Sequence, residues 1–135
     1  MIKWTNVLHK GIKICPDGYW SNGHIAIKGE PPAQLSKLKD FRRVEIPTPF
    51  SSLVPHGHYR VPALIIHEDR DRVTLRRCDS DLNVRIQTIY YEVFKACIDE
   101  RYIFLIHDAK SIILCVNLKN EILGGVAPIG LNASS

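Results

Sequence analysis

The sequence predicts an α+β domain, a mainly antiparallel sheet with two short helices packed on it. Three observations lead there. Apolar runs of strand length recur from Val61 to Leu131, and one segment of helical period, Ile89–Ile98, stands among them. Tight-turn words, Pro16-Asp17-Gly18 and Asn22-Gly23, punctuate the opening segment as they do in hairpins. At 135 residues, 45% apolar and 24% charged, the chain is a single domain, 1–135, able to bury a core without cross-links.

Taken in order, Gly11–Cys15 is a short alternating run, followed by the first turn. Tyr19 and Trp20 lie between the turns, as a strand or as an exposed aromatic pair. His24–Lys28 alternates again, with Ile25 and Ile27 on one face. Pro31-Pro32 opens a short helix, because a proline in the first helical turn sacrifices an N–H that has no partner anyway. Leu35, Leu38 and Phe41 then form its apolar stripe, with Lys37, Lys39, Arg42 and Arg43 around it. The segment 46–62 holds Pro47, Pro49, Pro55 and Pro62, which exclude a helix and weaken a central strand, so a surface loop is expected.

The second half reads as strands at Ala63–His67, Val73–Arg77 and Asn83–Gln87, the helix, and strands at Ile103–His107, Ile112–Val116 and Ile122–Val126. Val73-Thr74-Leu75 and Leu82–Ile86 alternate, as strands with one wet face do. Ile112–Val116 is continuously apolar and should be covered on both sides. Thr88 is the expected N-cap of the helix, whose Tyr90, Val93, Phe94 and Cys97 should face a sheet containing Ile112, Leu114 and Val116.

Charge and composition narrow the function classes. Eighteen basic against fourteen acidic side chains give a net charge of +4, which admits a polyanionic partner but falls short of a dedicated nucleic-acid binder's footprint. Cys15, Cys78, Cys97 and Cys115 are scattered, without a Cys-x-x-Cys pair, and three sit in apolar patterns, so reduced thiols and a cytoplasmic location are expected. The N-terminus lacks a secretory core, and no apolar run approaches the ~20 residues of a membrane span.

Candidate chemistry is sparse. His56-Gly57-His58 presents two imidazoles on one side of extended backbone, but a zinc site needs further ligands, and nothing in the spacing of His24 or His67 supplies them. Asp79-Ser80-Asp81 lacks the glycine and distal glutamate of a calcium loop and reads as a capped turn. Cys78 follows two arginines but has no identifiable base. Gly124-Gly125 lacks the rest of a phosphate-binding loop. No catalytic residue, metal ligand or cofactor is therefore assigned. The basic clusters Lys37–Arg43 and Arg70–Arg77, in particular Lys37, Lys39, Arg42, Arg43, Arg76 and Arg77, are the candidate DNA- or anion-binding residues, although Asp40, Asp69, Asp71 and Asp79 interrupt them. Tyr19 and Trp20 offer stacking for a base, or packing in a core or dimer contact.

Two stretches resemble a domain of a DNA sliding clamp. Val73-Thr74-Leu75-Arg76-Arg77-Cys78-Asp79-Ser80-Asp81-Leu82 is similar to the strand and turn before a clamp helix. Asn120-Glu121-Ile122-Leu123-Gly124-Gly125-Val126-Ala127-Pro128-Ile129 is similar to a bacterial clamp's closing strand, with Ala127 where the family has methionine. The resemblance implies helices lining a basic ring, a homo-oligomer, and partners that are DNA or proteins of replication or defence, from a virus or mobile element. Clamps carry several such domains per chain and this chain has room for one, and Ile89–Ile98 offers only Lys95 against Glu92. The leading expectation is a non-enzymatic clamp-like binding module. One alternative is a nucleotide-like small-ligand protein with a pocket of Tyr19, Trp20, His56 and His58, and a second is a metal-assisted hydrolase around the histidine pair.

Overall fold

Alternating and continuous apolar strands assemble, in the computed structural model, into one mixed sheet that curls around a single amphipathic helix. Residues 2–8, 11–37, 41–45, 47–48 and 60–129 are described. The elements are α1 (Trp4–Leu8), β1 (Ile12–Ile14), β2 (Tyr19–Ser21), β3 (Ile25–Lys28), α2 (Ala33–Ser36), β4 (Phe41–Arg43), β5 (Val61–Glu68), β6 (Arg72–Arg77), β7 (Asn83–Gln87), α3 (Thr88–Cys97), β8 (Tyr102–Ile106), β9 (Ile113–Asn117) and β10 (Ile122–Val126). Among the described residues the sheet has the order β4-β1-β2-β3-β10-β9-β8-β5-β6-β7. The pairings are antiparallel except β1 with β4.

The two expected hairpin turns are present. Gly18 and Gly23 take φ values of +89° and +95°, a region that costs glycine little and other residues more. Asn22 does more than turn the chain. Its Oδ1 accepts from the backbone N–H groups of His24 (2.8 Å) and Ile25 (2.9 Å), and its Nδ2 donates to the Val7 carbonyl (2.6 Å) and the Tyr90 hydroxyl (3.2 Å). One buried amide thus joins α1, the β2–β3 turn and α3.

Several expectations change. The helix read through Arg43 is the single turn α2, and Phe41–Arg43 is a strand pairing in parallel with β1, Lys13 beside Arg42. One turn fixes several dihedrals for few hydrogen bonds, whereas the β1 edge offers a ready ladder that continues to Val44, whose N–H donates to the Ile14 carbonyl (3.0 Å). Leu35 of the proposed stripe is fully buried, and Leu38 lies outside the described residues. There are three helices rather than two among the described residues, because α1 is too short to show a period. Val61 and Pro62, assigned to the loop 46–62, already belong to β5, and 49–59 lie outside the described residues. Thr88 does not cap α3. Gln87 holds the cap position without a side-chain bond, and the Thr88 hydroxyl donates to the Asp69 carbonyl (2.9 Å).

Tyr90, Val93 and Phe94 of α3 are buried as the helical spacing requires. The strand residues sharing their core are Ile113 and Cys115, with Phe104 and Ile106, not Ile112, Leu114 and Val116. The latter three belong to a second apolar cluster with Tyr19, Ala26 and Leu105. Side chains alternate along a strand, so a continuous apolar run such as β9 serves both faces. Gly124 is where β10 passes beneath α3. A Cβ there would run into the Ala26 carbonyl oxygen and lie 3.1 Å from Phe94 Cε1. The end strand β7 is tied back to the segment after β10, since the Ile129 N–H reaches the Arg85 carbonyl (2.7 Å).

Candidate nucleic-acid interface

β6 and its neighbour β7 each have one apolar face turned to α3, and the alternation that builds that face dictates the other. Val73 pairs with Ile86 and Leu75 with Val84, all four buried. The intervening pairs Arg72–Gln87, Thr74–Arg85 and Arg76–Asn83 must then point outward. Arg72 and Arg76, four residues apart, are separated by about 13 Å along the strand, and Arg85 sits between them one strand over.

The outward positions of β6 and β7 carry no carboxylate. Arg76 Nε donates to the neutral Asn83 Oδ1 (3.0 Å), while neither Arg72 nor Arg85 has an ion-pair partner among the described residues. Asp71 precedes Arg72 without an ion pair to it, and Asp69, three residues before Arg72, is engaged elsewhere. Its Oδ1 accepts the N–H groups of Asp71 (2.8 Å) and Arg72 (2.9 Å), and the Arg72 bond foremost holds its carboxyl below the usual range. The result is an unneutralised arginine face on a rigid sheet.

The residues singled out from sequence are dispersed. Of the two basic clusters, Arg42 and Arg43 lie on β4, at one end of the sheet order, and Arg76 and Arg77 on β6, near the other. Arg77 is consumed by structure. Its Nε and Nη2 grip both oxygens of Asp79 at 2.9 Å and its Nη1 donates to the His107 carbonyl (2.6 Å), which holds Asp79 below the usual carboxylate range. Lys37 caps α2 through its backbone N–H, with its side chain exposed, and Lys39 lies outside the described residues. Arg85 escapes a reading by clusters because its partners are on the neighbouring strand. Strand alternation was the signal that could have found it, together with Arg72.

Tyr19 and Trp20, two of the four residues of the suggested pocket, face opposite ways, as consecutive strand residues do. Trp20 is fully buried in the core with Ile27, and Tyr19 lies in the second cluster, its hydroxyl donating to the Ile122 carbonyl (2.7 Å). His56 and His58 lie outside the described residues. A shallow cavity of about 120 Å³ lined by Ser21, His24, Thr48, Ile112 and Ala127 is small beside the roughly 300–1,000 Å³ of ordinary ligand pockets. Among the described residues no three of His, Cys, Asp and Glu gather as metal ligands do. Among the same residues no helix is long and apolar enough to cross a membrane. The thiols are free; Cys15 and Cys115 are buried, Cys78 is exposed, and burial pushes Cys97 up to about 11.

No protein-family model, curated protein or solved structure matches the chain.

Proposed function

We propose that this chain is a non-enzymatic binding module, with a clamp-like domain, that associates with DNA through its backbone phosphates. The observation carrying this reading is the outward face of β6 and β7, where Arg72, Arg76 and Arg85 stand on rigid strands without carboxylate neutralisation. Guanidinium groups form short, charge-assisted bonds to phosphate oxygens, and contacts of this kind position a duplex without reading its sequence. The anion-binding surface is then a sheet face, where a ring of clamp domains would use helices. α2 is a single turn, and on α3 Lys95 is paired with Glu92 at 3.3 Å. Association with proteins of replication or defence, self-assembly into a homo-oligomer, a viral or mobile-element origin and a cytoplasmic location belong to the same reading.

Fluorescence anisotropy with a labelled duplex tests it. Three phosphate contacts give a slope near −2.7 in log K against log salt, so affinity falls roughly forty-fold between 50 and 200 mM salt. Arg72→Glu with Arg85→Glu should remove most of the binding while leaving the unfolding midpoint unchanged, since both side chains are exposed. Absence of duplex binding at low salt overturns the proposal. Native mass measurement decides the oligomer.

A further inference from the structure

The sheet contains an open fork. β6 pairs with β5 along its whole length from Ala63 to Glu68, but β8, on the other side, takes only Val61 and Pro62, opposite Ile106 and Leu105. From Ala63 onward β5 has one edge with no partner strand among the described residues. This stretch of six residues is about 20 Å long. A bulge at Ile66, between the Ile65–Leu75 and His67–Thr74 pairs, adds local twist to the unpaired stretch.

The side chains along that edge are Leu64, Ile65 and Ile66, 59%, 44% and 41% exposed. Strands at sheet margins are ordinarily protected by charge or proline. The other margins here follow that rule, with Arg42 and Arg43 on β4, and Arg85 together with the Ile129 contact on β7. On β5 the protecting residues stand only at the two ends of the open stretch, Pro62 before it and Glu68 at its close, and Ala63 to Ile66 between them carries neither charge nor proline.

We propose that this edge takes up, as an added strand, an extended segment of a partner protein in which apolar and acidic residues alternate. Two arguments choose this occupant. The three aliphatic side chains together expose a few hundred Å², well short of the ~1,200 Å² of a stable interface between folded copies. A single added strand draws its affinity from main-chain hydrogen bonds and needs only pockets for alternate side chains. Charge supplies the second argument. Arg76 is paired with Leu64, so an outward residue opposite Leu64 on the added strand lies about 9.6 Å from the Arg76 backbone. The guanidinium leans toward β7 through its Nε bond to Asn83 and acts on the added residue as a nearby charge rather than as a direct partner. The same outward face of β6 and β7 carries Arg72 and Arg85 and no carboxylate, which favours glutamate or aspartate at those positions and disfavours lysine.

The test titrates the ¹⁵N-labelled chain with an eight-residue peptide of alternating valine and glutamate, and with its valine–lysine counterpart. The expected result is saturable amide shifts centred on Ala63–Glu68, with the acidic peptide binding at least about ten-fold more tightly. The exposed, charge-neutral substitutions Leu64→Ser and Ile66→Ser should weaken that binding by a similar factor while duplex affinity and the urea midpoint stay unchanged. Duplex binding does not use the open edge of β5, so its failure would leave this proposal standing, and failure of the peptide to bind there would leave duplex binding standing. No shifts at millimolar peptide, equal binding of the two peptides, or a concentration-dependent dimer that pairs through Ala63–Glu68 without peptide would each overturn it.

Discussion

Replacing Phe94 by alanine removes the ring that joins α3 to the sheet. Phe94 is fully buried, packs edge-on against Phe104 at 5.3 Å between centroids and 75° between planes, and lies over Gly124. Returning its apolar surface to water forfeits about 2–3 kcal/mol. Losing the aromatic pair adds roughly 0.5–1.5 kcal/mol. The void cannot collapse fully, because α3 is held on one side by Asn22 through Tyr90 and the β10 backbone below is fixed by its two neighbouring strands. The total is about 3–5 kcal/mol, a large part of the roughly 5–15 kcal/mol that keeps a domain folded. Urea unfolding followed by far-ultraviolet circular dichroism, with wild type and variant fitted to a common slope, measures the loss. A double-mutant cycle with Phe104→Ala should give a coupling of about 0.5–1.5 kcal/mol. A loss below about 1 kcal/mol, or no coupling to Phe104, refutes the packing argument.

Asn22→Ala should cost roughly 2–4 kcal/mol, read as a shift in urea midpoint, because it strands the Val7 carbonyl and two turn N–H groups; a surface-like loss of a few tenths would contradict the hub. Asp69 is held below its ordinary 3.8 chiefly by the Arg72 and Asp71 N–H groups, so its stabilising contribution is complete above that value and is lost as pH falls through the depressed one. Asp69→Asn should therefore flatten the acid limb of the stability profile, and an unaltered limb counts against the assignment. Among the thiols, exposed Cys78 should react first with a disulfide reagent, while buried Cys15 and Cys115, with thiols pushed up by desolvation, should react only on unfolding. Mass-mapped labelling of native protein tests that order.

The elements that sequence and structure share are those whose own residues decide them. The β6, β7 and β10 strands and α3 fall within a residue or so of their expected bounds, because alternation and a 3.6-residue period are local properties. The two opening turns were legible for the same reason, each carrying glycine where the backbone enters positive φ. Buried β9 was legible from unbroken apolar residues, but not which of them meet α3. That assignment is a matter of parity, set by which strands flank β9.

Tertiary structure decided what depends on a distant partner. Phe41–Arg43 is a strand because β1 supplies its ladder, and Asn22 is a core amide because two helices converge on it. Arg77 and Arg76 are adjacent and chemically equal in sequence. One faces inward to meet Asp79 and the His107 carbonyl, and the other faces solvent beside Asn83. Arg72 and Arg85 become one surface only through the β6–β7 register. The open edge of β5 follows from where β8 stops pairing. The sequence alone determined the alternation that places arginines on a wet face. Strand pairing decided which of them stand together and unneutralised, because charges separated along the chain share a surface only when the backbone ladder aligns them.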